Sequence, residues 1–170
     1  MPAHRHLALA AALGAASILA GCATGPAPAS SVAVFDAAAF AWSAVPGDNA
    51  ISGRVAYVGG GRSWSCAGSV GLTPETPWTR QRFQTLYGST QRAAIPAAIV
   101  RARSVTEASA DYQGFVRSET CDSQDRFRFD NLPAGNWFVV VPVTDGGSEP
   151  VVLMRRVTTR GDQITDVTLD

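Results

Sequence analysis

The chain has 170 residues, 46% of them hydrophobic and 16% charged, with 14 basic residues against 14 acidic ones and a formal net charge of zero. That length suits one domain plus an appendage, and the balanced charge offers no electrostatic case for nucleic acid or acidic lipid. All 14 basic residues are Arg, and both histidines, His4 and His6, sit in a leader expected to be removed, so the remaining chain has neither Lys nor His. Ser-His-Asp triads, Cys-His dyads, Schiff-base lysines, His-ligated zinc and phosphate-loop lysines are thereby excluded.

The leader occupies residues 1–21. A weakly basic start precedes an Ala/Leu-rich run over residues 7–20 that is too short for a comfortable membrane span. It closes on Leu19-Ala20-Gly21-Cys22, which resembles the bacterial lipoprotein box. The resemblance implies diacylglyceryl transfer to the Cys22 sulfur, cleavage before it and acylation of the new amine. Several acyl chains anchor stably, because each buried CH2 contributes about 0.8 kcal/mol. Ala23 stands where an Asp usually retains Gram-negative lipoproteins in the inner membrane, which favours the outer membrane. Residues 22–48 are expected to form a flexible tether, small and Pro-rich over 23–31. A short helix over 36–43, with Asp36 as N-cap and Phe40 or Trp42 docking on a core, is expected near its end.

From residue 49 to 170 the pattern is extended. Residues 51–58 read as a first strand ended by Gly59-Gly60-Gly61, and residues 67–73 as a second. Thr76-Pro77 predicts a helix over 78–87, with Trp78, Phe83 and Leu86 or Tyr87 on one stripe. Residues 88–97 read as a loop. Residues 99–105, 112–119, 126–129, 136–143, 151–158 and 164–169 read as further strands, the last two separated by the turn Arg160-Gly161-Asp162. About seven to eight short strands spaced by turns point to an all-β, antiparallel sandwich with a short helix or loop insertion.

Two cysteines remain beside Cys22. Cys66 and Cys121, an even pair in an exported chain, predict a disulfide, and no Cys-x-x-Cys redox motif is present.

The clearest stretch is residues 127–143, FRFDNLPAGNWFVVVPV. Phe127 and Phe129 alternate with Arg126 and Arg128, Leu-Pro-Ala-Gly breaks the strand, and Trp137 opens an apolar run. With Ile-Ser-Gly-Arg-Val upstream, this pattern resembles the carboxypeptidase regulatory-like domain, a transthyretin-like β-sandwich. Phe127, Phe129, Leu132, Pro133, Gly135 and Trp137 match its pattern, whereas Arg126 stands where the family often has Gly. The resemblance implies that residues 127–143 form the core hairpin of such a sandwich, with Gly135 allowing the corner. In carboxypeptidases this domain does no chemistry itself.

The expected function is a non-catalytic, lipid-anchored envelope module, without cofactor or metal, that binds an envelope protein partner. Glycan binding is the alternative. Trp64, Trp78, Tyr87 and Tyr112 would then offer stacking faces and Arg80, Arg82 and Arg92 polar contacts, against the bland reading that the aromatics are packing anchors. A carboxylate-based hydrolase or a calcium site would draw on Glu119, Asp122, Asp125 and Asp130, although Asp122-Ser123-Gln124-Asp125 also reads as plain turn chemistry. The irregular segments 59–64 and 74–96 are where a functional surface is expected.

Overall fold

The structure is a computed structural model describing residues 32–103, 105 and 110–170. The leader, Cys22 and the tether to residue 31 lie outside the described residues. A 3-10 helix, Ala37–Ala44, opens the folded part, with the Asp36 carboxylate accepting from the Ala38 N–H at 2.9 Å. Strands β1 (Asn49–Val55), β2 (Val58–Gly59), β3 (Arg62–Ser63), β4 (Ser65–Cys66) and β5 (Ser69–Pro74) follow, then helix α1 (Pro77–Tyr87). Strand β6 (Arg92–Pro96) runs into α2 (Ala97–Ala102), and α3 (Ala110–Gln113) precedes β7 (Arg117–Thr120). The chain ends with β8 (Arg126–Leu132), β9 (Gly135–Thr144), β10 (Val151–Thr159) and β11 (Ile164–Leu169).

Two sheets pack face to face. The smaller runs β11-β1-β8 and the larger β6-β10-β9-β5-β7, with β4 also pairing β9. Strands β4 and β5 lie end to end along β9, Cys66 opposite Val143 and Gly71 opposite Val140. Most pairs are antiparallel, but β1 and β11 run parallel, from Ala50 opposite Ile164 to Val55 opposite Leu169. Apolar residues at alternate positions face each other across the sandwich: Ile51, Phe127, Phe129 and Leu132 from one sheet, Leu72, Trp137, Val139, Val141 and Leu153 from the other.

The opposite face of the large sheet is covered as well. Phe138 and Met154 point there, and Phe83 and Tyr87 of α1 close over them. Burial on both faces explains why β9 reads as a continuous apolar run rather than an alternating one. A third cluster joins Phe40 of the 3-10 helix to Trp78 and Tyr112. Phe40 is fully buried and Trp42 packs edge-on against Trp137 at 4.9 Å, so this helix belongs to the folded unit.

The sequence-based expectation changes at four places, the first being residues 112–119, where Tyr112 and Gln113 end α3, a turn follows and only β7 is extended. Residues 99–105 do not form a strand: α2 covers most of them, and its first N–H groups are met by the Pro150 carbonyl and the Glu149 carboxylate at 2.8 Å each. That capping comes from a distant loop and leaves no local signature. Residues 88–97 hold an edge strand, β6, whose extended form follows from pairing with β10. Strands β8 and β9 do not pair as a hairpin. They belong to different sheets, and Leu132-Pro133-Ala134 carries the chain from one to the other. Positive φ falls on Asn131, at 57°, rather than on Gly135. Gly135 serves close approach instead: a Cβ there would overlap the Trp42 ring.

The disulfide between Cys66 and Cys121 is formed, with Cα atoms 6.3 Å apart and 55 residues of separation. No helix among the described residues is long and apolar enough to cross a membrane.

Candidate functional site

Thr76 builds the start of α1. Its hydroxyl accepts from the Thr79 N–H at 3.2 Å while the Thr79 hydroxyl accepts from the Thr76 N–H at 2.7 Å, a reciprocal cap made of two threonines. Pro77 occupies the first helical turn, where its missing N–H costs nothing. Gly88, at φ 71°, ends the helix and donates to the Gln84 carbonyl at 2.9 Å. With Phe83 and Tyr87 held against the sheet, the opposite side of the helix turns Pro77, Arg80, Gln81, Gln84 and Thr85 outward.

These residues form one wall of a groove of about 800 Å³, completed by Glu75, Thr76, Thr90, Asn136 and Ala33. Its floor is fixed by Glu75. The Glu75 side chain is 3% exposed, its backbone N–H donates to the Asn136 carbonyl at 2.8 Å, and one carboxylate oxygen accepts from Arg156 Nε at 2.6 Å. The other oxygen pairs with Arg80, whose side chain is 53% exposed. A buried carboxylate is retained only when paired, and here two guanidiniums supply the pairing. One of them, Arg80, is held at the groove wall with further N–H donors beyond those used on Glu75. Asn136 accepts from the Thr158 hydroxyl at 2.7 Å, leaving its carboxamide N–H groups without a protein partner among the described residues. The groove therefore offers fixed, planar hydrogen-bonding groups on rigid elements and a modest surplus of positive charge.

The residues singled out in the sequence divide sharply. Trp64, Trp78 and Tyr87 are each 8% exposed and do not offer stacking faces. Trp64 donates to the Gly59 carbonyl at 3.1 Å and packs edge-on against Tyr57, holding the β2–β3 hairpin. Trp78 sits between Phe35, Phe40 and Tyr112. Tyr87 packs at a tilt against Phe83, and burial pushes its phenol up to about 12, reinforced by Tyr112 and opposed by Arg82. Tyr112 is also buried, and its phenol too is raised chiefly by burial. Arg82 lies over the Trp78 and Tyr112 rings at 5.3 and 5.8 Å. Arg92 is on the edge strand β6, opposite Arg155. Only Arg80 of the expected surface residues lines the groove. Glu75, Gln81, Gln84, Thr85 and Asn136 were missed: Pro-Glu-Thr-Pro reads as a strand breaker, and the partners that give Glu75 its meaning lie 5 and 81 residues away.

The carboxylate run performs turn chemistry. Asp122 accepts from the N–H groups of Gln124 and Arg126 at 2.8 and 2.9 Å, and these bonds, the Arg126 one first, hold its carboxyl below the usual range. Asp125 accepts from the Cys66 N–H at 2.9 Å, Asp130 pairs with Arg128, and Glu119 is exposed on β7. Among the described residues no three His, Cys, Asp or Glu side chains are grouped to hold a metal.

No family model and no curated protein matches the chain. Among solved structures, a protein of Pseudomonas aeruginosa described as a "putative carbohydrate binding protein" is similar over 82% of this chain and 99% of its own, with a TM-score of 0.58 and 20% identity. That likeness shows a shared sandwich fold.

Proposed function

We propose that this chain is a non-catalytic, lipid-anchored module of the cell envelope, built on the carboxypeptidase regulatory-like pattern, that binds carbohydrate in the groove along α1. The observation that carries this reading is the buried Glu75 clamped between Arg80 and Arg156. It holds an Arg fork rigidly beside Asn136, Gln81 and Gln84, a set suited to the vicinal hydroxyls of a sugar. The similar fold of a protein described as carbohydrate binding supports the same class of ligand. Docking of an envelope protein has less support, because the exposed apolar side chains are divided among the N-terminal arm, the β2 hairpin, α2 and β11. The envelope location rests on the lipoprotein-like box ending at Cys22.

The test is titration of the folded protein with a panel of bacterial envelope oligosaccharides, read by calorimetry. Saturable binding that falls at least about tenfold in the Gln84→Ala/Asn136→Ala double variant, with an unchanged melt, is expected from the loss of about two hydrogen bonds. Binding that survives this substitution places the ligand elsewhere.

A further inference from the structure

We infer that the groove selects sugars carrying a carboxylate over their neutral counterparts; this rests on the carbohydrate reading above. Among the described residues Glu75 is the one acidic residue in the groove lining, and at 3% exposure its carboxylate lies behind Arg80 rather than facing a ligand. One of its oxygens accepts a hydrogen bond from Arg156 and the other is ion-paired with Arg80. Glu75 carries one negative charge against the two positive charges of Arg80 and Arg156, so the cluster keeps one positive charge, and a ligand meets it through the half-exposed Arg80. Among the described residues no other charge of either sign lines the groove.

The helix adds to this. Helix α1 contains Arg80 and Arg82 but no acidic residue anywhere along PWTRQRFQTLY. Its N-terminal turn faces the groove through Thr76 and Pro77, and the helix dipole there favours negative charge. A planar carboxylate matches a guanidinium fork in geometry as well as charge, which a hydroxyl does not. Gln81, Gln84 and Asn136 then read the ring hydroxyls. The ligand class that satisfies the whole groove is a uronic-acid-containing oligosaccharide, with the carboxylate at Arg80.

The experiment compares oligomers of glucuronic, galacturonic and mannuronic acid with the same oligomers after reduction of their carboxyl groups, so that each pair differs only in having a neutral hydroxymethyl group in place of the planar carboxylate. Titrations of the intact folded domain are run at low and high salt. At least tenfold tighter binding of an acidic oligomer than of its reduced partner, shrinking with salt, is expected. Arg80→Gln should remove the preference; because that change also unpairs Glu75, Thr85→Glu on the exposed helix face provides a second arm. It should weaken the acidic oligomer by a markedly larger factor than the neutral one. Equal binding of acidic and reduced forms overturns the charge selection while the carbohydrate reading stands. Absence of binding by every oligomer of both kinds overturns both.

Discussion

Gly53 faces Phe127 across the β1–β8 pair, and a Cβ at Gly53 would overlap the Phe127 ring. The ring lies over the glycine and shields a backbone that has no side chain of its own. Gly53→Ala should therefore cost about 1–3 kcal/mol by overpacking, and Phe127→Leu in the same chain should recover part of it. Chemical denaturation of the two single variants and the double variant checks this; strictly additive losses would refute the contact. Tyr87 gives a pH-dependent counterpart. Its phenol titrates near 12 in the folded chain against 10.0 for an unperturbed tyrosine. Between these values the unfolded state has released the proton and the folded state has not, so stability falls as pH rises through this window and is insensitive to this group below it. Tyr87→Phe should flatten that alkaline loss, Tyr112 accounting for part of what remains. Melting temperatures from pH 9 to 12 measure it, and an unchanged slope in the variant would contradict the burial of the ring.

At the scale of elements, the features encoded by local chemistry were legible and those encoded by distant partners were not. Thr76-Pro77 marks α1, Asp36 marks the 3-10 helix, and the alternation of Phe127 and Phe129 marks a strand, because each signal is carried by the residues that use it. By contrast, Ala97–Ala102 is capped by Glu149 and Pro150, and Arg92–Pro96 becomes a strand by pairing with β10. The same contrast holds in the groove. Arg80 was visible as a polar residue on a helix, but its role depends on a buried Glu75 and on Arg156 from another strand. Trp and Tyr are large enough to anchor cores as readily as they stack on ligands, and Trp64, Trp78 and Tyr87 anchor cores here. The Cys66–Cys121 bond ties β4 to the end of β7 and closes a 55-residue separation. In the chain-entropy model this contributes roughly 4 kcal/mol. Reduction should lower the melting temperature by roughly 10 °C, and native protein should carry no alkylatable thiol from this pair. A melt indifferent to reductant would show that these elements are held by packing alone.

For the whole molecule, the sandwich places a helix on the outer face of its larger sheet and leaves that helix's polar side facing an open groove. Phe138 and Met154 hold α1 down through Phe83 and Tyr87, so the helix that carries the groove wall is packed on the core beneath it. A helix backbone fixed in this way presents Arg80, Gln81 and Gln84 from a constant position, which lowers the cost of meeting a ligand on the reading proposed above. On that reading, this groove is where the molecule meets carbohydrate. The most direct measurement is amide chemical-shift mapping of the domain titrated with an acidic envelope oligosaccharide. Saturable shifts concentrated at Glu75, Arg80, Gln81, Gln84, Thr85 and Asn136 are predicted. Saturable shifts confined to another surface, or none at millimolar ligand, would contradict the assignment.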